Sequence, residues 1–457
     1  MELAAGQERQ WWGYLDAFGR LFGDKRTATT FREVVRGIIA AGTLVCQQIA
    51  THSAVLSEAK EGGQRVSRLA RGESTKRSQV SAKSLTSVMR ERGIAHLTEP
   101  EGEELWLIAD GSELRKPHAR EMPDLMKVRD LDGSFVRGYR TLNVLGITPG
   151  RRALLYHQLF SSQEEDFLSE SKEVQTALQT VGNSLASVDE ERVVTWIMDS
   201  GFDDVAVWRT IWEQEAHLVC RVKHRDRCIE YKDDTGCWVK GDIARARDEM
   251  ELVGKAQAEL LVRRGRQRRK MRQHVPVEIR STPIRLTYDT AVRREGEGEI
   301  VQKQLWLVEV RLEGTQMEPW LLVTDWPVTN PDRAVRVFQM YRQRWSVEDS
   351  FGFIKDVLGW EDVQLLDLCG IRTLLALGWV AAGFLYELGV TLQWEELRLL
   401  ARLGGWAERK NNKPGKTVLT RGLRRILDML ATQAFLDRHR AEHGTLPPHI
   451  ADLLASS

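Results

Sequence analysis

Along the first 95 or so residues the apolar positions recur at helical spacing, as in 31-FREVVRGIIAAGTLVCQQIA, with Thr30 as the candidate N-cap. The texture changes after Pro100. The run 104-ELWLIAD is continuously apolar until an aspartate ends it, which predicts a buried strand. Two more strands, 140-RTLNVLGITPG and 151-RRALLYHQLF, flank a Pro149-Gly150 turn, and residues 164–182 read as a helix. A second apolar strand, 193-VVTWIMD, also ends in an aspartate. A helix (203-DDVAVWRTIWEQE) and a strand (217-HLVCRVKH) follow. The order β-β-β-α-β-α-β predicts an α/β layer built on one sheet.

From about 229 to 318 the alternation changes to strand-like runs such as 284-IRLTYDT and 304-QLWLVEVRL, so this stretch reads as a β-rich insertion. It contains 263-RRGRQRRKMR, which is basic at seven of ten positions and reads as a surface loop able to touch phosphates without sequence preference. The chain then returns to a strand, 320-WLLVTDWPVT, and to a helix from Pro331 onward. Residues 371–457 are helical, with a polar break at 409-RKNNKPGKT. Their most apolar run, 371-IRTLLALGWVAAGFLYELGV, is interrupted by Arg372 and Glu387, so it reads as a buried helix rather than a membrane span.

Composition narrows the class. Apolar residues make up 42% and charged residues 29%, the balance of a soluble globular protein with a real core. The formal net charge is only +1, so binding to a polyanion must come from local basic patches. One such patch is 61-EGGQRVSRLARGESTKRSQVSAKSLTSVMRERG, which reads equally as a solvated surface or as phosphate-contacting helices. Five scattered cysteines imply no disulfide framework and a reducing compartment. The charged start, 1-MELAAGQERQWWGYLDAFGR, lacks the apolar core of a signal peptide.

The candidate chemistry lies in three carboxylates. Asp110 and Asp199 each end an apolar strand, and sites in open α/β sheets form beyond the carboxyl ends of strands. Adjacent parallel strands would set the two aspartates side by side. A third carboxylate, Glu348, lies in 341-YRQRWSVEDSFGFIK. On a continuous helix with Tyr341 at zero, Arg344, Glu348 and Lys355 fall near about −60°, −20° and −40°, all on one narrow face. Read alone, that face is a solvated stripe with an Arg344–Glu348 ion pair. If it packs across the two strand ends, three carboxylates converge. Clustered carboxylates repel unless a cation neutralises them, and oxygen donors suit Mg²⁺ or Mn²⁺.

With these residues in place the chain resembles the DDE transposases of the IS4 superfamily, the group that includes the Tn5 transposase. Their signature of Tyr, two residues, Arg, three residues, Glu, six residues, Lys is matched at Tyr341, Arg344, Glu348 and Lys355. The first aspartate stands in 108-IADGSEL and the second in 196-WIMDSGFDD, where Ser200 replaces the family's usual Arg. The resemblance covers roughly residues 100–370. It implies an RNase H-like catalytic core over 98–370 interrupted by the β-rich insertion at 229–318. It further implies a helical DNA-binding region over 1–97 and a helical, dimerising region over 371–457. By the same resemblance Asp110, Asp199 and Glu348 hold two Mg²⁺ ions, with Mn²⁺ able to substitute. Tyr341, Arg344 and Lys355 contact phosphates beside the scissile bond. Trp320 stacks on a flipped base in a DNA hairpin, and Arg221, Lys223 and His224 contact DNA. The expected partners are terminal inverted repeats, target DNA and a second copy of the chain. No membrane is expected, and the expected location is the bacterial cytoplasm, at the nucleoid.

Plainer readings stand beside these. Trp320 also reads as a core tryptophan beside Trp326, and the plainer reading of Arg221, Lys223 and His224 is a basic strand end in solvent. The cluster His217, Cys220, His224, Cys228 and Cys237 invites zinc, but its spacing matches no common finger and a strand points alternate residues to opposite faces. At the level of function, the alternative to an active cut-and-paste transposase is a silent or domesticated relative that binds DNA or inhibits transposition. The intact carboxylates argue for the active form, as does the Tyr–Arg–Glu–Lys pattern against another metal nuclease.

Overall fold

The structure is a computed structural model describing residues 13–455 apart from 54, 57–58, 74–77, 79, 101, 103, 189–190, 265–268, 290–299 and 409–412. The extreme N-terminus, parts of the basic segment 61–93, the centre of the basic run 263–272 and most of the polar break at 409 thus lie outside the described residues.

After a helical turn at 13–16 and a 3₁₀ turn at Gly19–Leu21, four helices follow: α1 (Lys25–Ala41), α2 (Cys46–Thr51), α3 (Ala59–Ala70) and α4 (Ala82–Thr98). Thr30 is not the cap expected from the sequence. Asp24 is, accepting a hydrogen bond from the Thr27 N–H at 2.7 Å, and Thr30 lies inside α1. The periodic run does not continue to residue 50 as one helix, because Gly42 takes the left-handed conformation (φ 66°) that ends α1.

The α/β layer follows in the expected order, with one short strand added. It comprises β1 (Glu104–Arg115), β2 (Met126–Arg129), β3 (Phe135–Thr148), β4 (Arg151–Phe160), α5 (Glu170–Ala186), β5 (Val193–Met198), α6 (Val205–Trp212) and β6 (His217–Arg221). Strand β3 lies antiparallel between β4 and β1, while β1, β5 and β6 run parallel to one another. β1 is buried on both faces, which explains its unbroken apolar run. Leu105, Leu107 and Ala109 pack towards Leu178, Val181 and Trp208 of α5 and α6, and Ile108 towards the opposite layer.

The stretch from 229 to 318 is β-rich, as expected, and extends the same sheet. It holds β7 (Cys228–Lys232), β8 (Trp238–Asp242), α7 (Ile243–Asp248), β9 (Glu251–Arg264), β10 (Arg269–Asp289) and β11 (Ile300–Leu312), and leads into β12 (Trp320–Thr324). β12 pairs with both β11 and β6, so twelve strands form one sheet. The basic run 263–272 is not a plain loop: Arg263 and Arg264 end β9, and Arg269 to Arg272 begin β10, paired antiparallel.

The remaining helices are α8 (Pro331–Arg342), α9 (Trp345–Leu358), α10 (Leu368–Thr391), α11 (Trp394–Leu403), α12 (Lys416–His443) and α13 (Pro448–Ala455). α10 is long and apolar enough to cross a membrane, yet most of it is buried in this structure. Its Leu374, Leu377, Trp379 and Val380 share one core with Phe31, Ile38 and Leu85 of the N-terminal helices and Leu154 and Leu159 of β4. The segment boundaries near 97 and 370 are therefore not breaks in packing.

Candidate active site

Register builds the first half of the site. In the parallel β1–β5 ladder Ala109 pairs with Met198, the last pair of that ladder. The next residues are Asp110 and Asp199, which come side by side where the two strands part. Asp110 does not end its strand as expected from the sequence. β1 continues antiparallel to β3 as far as the Arg115–Gly138 pair, because only its β5 side loses a partner. Asp110 Oδ1 accepts from the Gly111 N–H at 2.8 Å. Asp199 Oδ1 caps the 3₁₀ turn Ser200–Phe202 by accepting from the Gly201 N–H at 2.7 Å. Burial and the neighbouring Asp199 push the Asp110 carboxyl up to about 7, only partly offset by the Arg344 guanidinium.

The signature segment supplies the second half, but not as the single helix expected. α8 ends at Arg342 and α9 begins at Trp345. Between them the bonding tightens to i→i+3: the Gln343 N–H donates to Met340 O and the Arg344 N–H to Tyr341 O, both at 3.0 Å. Tyr341 therefore belongs to α8, Glu348 and Lys355 to α9, and Arg344 to the junction. The Arg344 side chain bridges both halves. One guanidinium nitrogen lies 3.5 Å from Asp110 Oδ2 and the other donates to Glu348 Oε1 at 2.5 Å. The expected i,i+4 ion pair thus forms, and it includes the strand aspartate.

Glu348 is the most open of the three, with its side chain 56% exposed. It faces Arg344 rather than joining the aspartates directly. Among the described residues no three His, Cys, Asp or Glu side chains are gathered closely enough to cage an ion. The donor set still fits a hard divalent cation. It consists of carboxylate oxygens, and Asp110 and Asp199 repel one another with no full counter-charge. Asp110 and Asp199 would hold such an ion, with Glu348 joining them on leaving Arg344.

The other expected site residues divide. Lys355 lies along α9 from Glu348, where Nζ donates to Glu113 O on β1 and pairs with Glu361, both at 3.1 Å. Tyr341 is buried, and that burial raises its hydroxyl to about 12. Trp320 is the core tryptophan of the plainer reading. It is 4% exposed and enclosed by Phe338, Tyr341 and Trp345, with ring centroids 5.3 to 6.1 Å away, so it offers no face to a base in this conformation. Arg221 ends β6, opposite Leu322 of β12. The zinc cluster dissolves: His217 pairs with Asp325 at 3.2 Å and stacks on Trp326, while Cys220 is buried and contacts the Asp199 carbonyl.

Lys223 and His224 do reach the site. With Arg227 they line a cleft of about 700 Å³ that opens beside Asp110 and Asp199. Their position depends on Asp203, a residue not singled out from the sequence. Asp203 Oδ2 accepts the backbone N–H groups of Lys223 and His224 at 2.6 and 2.8 Å. Its other oxygen pairs with Arg227 at 2.6 Å, and that guanidinium lies 4.3 Å from the Trp208 ring centroid. The available signal was the acidic pair Asp203-Asp204 in 196-WIMDSGFDD, which reads first as a helix cap. Asp204 does that capping, accepting from Ala206 N–H.

Residues 124–382 match the family described as Transposase DDE domain, a span that includes Asp199 and Glu348 and begins after Asp110. In structure the chain is similar to the piggyBac transposase in a synaptic complex with hairpin DNA, at TM-score 0.36 and 10% identity, over 78% of this chain and 57% of that one. It thus spans little more than half of that protein's length. Comparison with functionally curated proteins gives no match.

Proposed function

This chain belongs to the Transposase DDE domain family, and on that premise we propose that it is a cut-and-paste transposase of the IS4 superfamily, similar to the Tn5 transposase. The observation that carries this reading is the junction of Asp110, Asp199 and Glu348 through the β1–β5 register and Arg344. An RNase H-like core is supported by the strand order β4-β3-β1-β5-β6, antiparallel in the first three and parallel in the last two. The β-rich insertion then enters after β6 and returns as β12 beside it.

In this reading Asp110, Asp199 and Glu348 hold two Mg²⁺ ions, for which Mn²⁺ substitutes. Such ions activate the attacking oxygen and neutralise the leaving one in phosphodiester cleavage. The chain's own residues orient the strand. Arg344 holds the Glu348 carboxylate in reserve against Asp110 and is freed towards a phosphate when Glu348 turns away. Its fork suits two phosphate oxygens at once. Lys223 and His224 present positive or donor groups along the wall of the cleft. Lys355 ties α9 to β1 three residues beyond Asp110, which holds Glu348 over the strand pair. Passage through a hairpin, end pairing as a dimer through the C-terminal helices, and action on terminal repeats complete the proposal. The full set of carboxylates, with the tyrosine, arginine and lysine, favours the active form over a silent DNA-binding relative.

The test is cleavage of a labelled duplex carrying the element's own terminal repeat, with Mg²⁺ or Mn²⁺. Wild-type protein cuts at the repeat boundary, and Glu348→Ala reduces the rate by at least about 10³-fold, the order expected when a group acting only in the transition state is lost. Persistent cutting by the variant means that the active site lies elsewhere. Repeat binding without cutting in either protein points to the silent relative.

A further inference from the structure

Glu348 and Asp349 are adjacent carboxylates, about 100° apart around α9, and they go to different partners. Glu348 pairs with Arg344, which also reaches Asp110. Asp349 Oδ2 accepts from Lys416 Nζ at 2.7 Å and lies 3.4 Å from a guanidinium nitrogen of Arg152 on β4. Lys416 Nζ also donates to the Asp349 backbone carbonyl at 2.9 Å, so one ammonium grips both the side chain and the backbone of this residue. The same ammonium lies 4.9 and 5.5 Å from the ring centroids of Phe353 on α9 and Tyr386 on α10. Asp349 is the open member of this junction and Lys416 the enclosed one, with side chains 63% and 21% exposed. Lys416 is also the first residue of α12. A helix N-terminus carries partial positive charge, so a lysine there is disfavoured unless an anion faces it. An isolated exposed ion pair would contribute little, but here a backbone carbonyl and two aromatic faces hold the same ammonium.

Glu348 needs such a hold. The first turn of α9 is linked to β1 through Arg344, which spans Asp110 and Glu348. That link is given up when Glu348 turns to a cation held by Asp110 and Asp199. Val347 and Phe351 still pack in the core, but apolar packing is non-directional and does not by itself fix the roll of a helix. Lys355 anchors α9 to β1 on the face of Glu348, about 10 Å further along at ~1.5 Å per residue. A second anchor at Asp349, a quarter-turn away around the helix, fixes the roll that one anchor leaves free. We infer that Asp349, Lys416 and Arg152 form a positioning clamp that sets the angle at which Glu348 meets the two strand aspartates, so that α12 is part of the support of the active site. None of the three touches the reacting atoms. The inference rests on the DDE reading of the site and adds to it the residues that orient its third carboxylate.

The experiment compares the full chain with Lys416→Met, which keeps the stem over the rings but no donor, with Asp349→Asn, with the two combined, and with Lys416→Arg. Lys413→Met, which removes an exposed lysine just before α12, is the control. The first measurement is Mn²⁺ binding without DNA, read from the free-ion signal in electron paramagnetic resonance. Lys416→Met is expected to weaken Mn²⁺ affinity about 10-fold, the order lost when a group that orients a metal ligand is removed. By charge alone, loss of a lysine tightens cation binding, so weakening has the sign that positioning gives. The combined variant has the net charge of wild type, yet it is expected to stay as weak as Lys416→Met, because both substitutions break one junction. The second measurement is single-turnover cleavage of the repeat duplex. Lys416→Met is expected to cut about 10-fold more slowly and to need more Mg²⁺ for half its maximal rate, with duplex affinity unchanged. Lys416→Arg should restore most of the rate, and Lys413→Met should match wild type. A Lys416→Met protein that melts lower but binds Mn²⁺ and cuts as wild type does overturns the clamp, and so does a loss confined to duplex affinity. Asp349→Asn with wild-type Mn²⁺ affinity overturns it equally, whether or not Lys416→Met folds. A wild-type protein that neither binds Mn²⁺ nor cuts overturns the DDE reading itself.

Discussion

At the scale of single residues, Asp203 shows how a buried charge shapes the wall of the cleft beside Asp110 and Asp199. Its side chain is fully buried and its partner Arg227 is nearly so. Breaking such a pair from one side leaves an uncompensated charge, which costs about 3–5 kcal/mol. Asp203→Ala is therefore expected to lower the melting temperature, and Asp203→Asn, which keeps an acceptor for the two N–H groups, to recover part of the loss. If Asp203 also positions Lys223 and His224, the surviving folded fraction of Asp203→Asn will show a raised KM for DNA with less change in kcat. Equal kinetics in folded variant and wild type would confine Asp203 to stability. Little of this was legible beforehand, because an aspartate beside a helix start carries the same local pattern whether it caps the helix or anchors a distant loop.

At the scale of elements, the helix bearing Glu348 is defined by how it begins and ends. It begins at the tightened junction around Arg344, and it ends at Gly359 in the left-handed conformation (φ 59°). A Cβ on Gly359 would sit 2.7 Å from Thr43 Cα and 2.8 Å from the Gly42 carbonyl oxygen, both backbone atoms that cannot yield. Gly359→Ala should thus destabilise by about 1–3 kcal/mol through backbone strain alone, with close contact adding to it. Thermal unfolding measures the loss, and a variant as stable as wild type would show that α9 can end otherwise. The helices and strands themselves were largely legible, since β1, β3, β4, β5 and β6 each carry a run or alternation that only a strand satisfies. The break between α8 and α9 was not. Gln343 and Arg344 keep right-handed helical angles, so no glycine or proline marks the change of hydrogen-bond pattern.

At the scale of the whole molecule, the layers are joined by a buried histidine. His157 on β4 lies edge-on to Trp360, with a ring-centroid distance of 5.6 Å, and 6.0 Å from Trp379 of α10, with Nδ1 2.8 Å from Asn143 Oδ1. Burial lowers its pKa to about 3. The unfolded chain, with an ordinary imidazole near ~6.5, binds a proton across the window between these values that the folded chain does not. Stability contributed by the neutral ring is therefore complete above that window and is lost as pH falls through it, at up to ~1.4 kcal/mol per pH unit. Urea unfolding between pH 7 and 4.5 should show this decline. His157→Gln, although less stable at pH 7, should show a flatter profile by about that slope. Parallel profiles would assign the acid sensitivity to carboxylates instead.

The sequence by itself determined the α/β class, the helical ends and the strand-rich character of residues 229–318, and it singled out three carboxylates as candidates, because periodicity and residue type are local properties of the chain. It also contained the Tyr–Arg–Glu–Lys spacing, whose resemblance to a transposase family agrees with the family match over residues 124–382. Only the tertiary structure decided that Ala109 pairs with Met198, which sets Asp110 beside Asp199. Only it decided that Arg344 spans from a strand to a helix, that Trp320 is enclosed, and that Asp203 anchors a loop twenty residues away. Register, enclosure and long-range pairing depend on which elements meet, and no local pattern of side chains specifies its own distant partner.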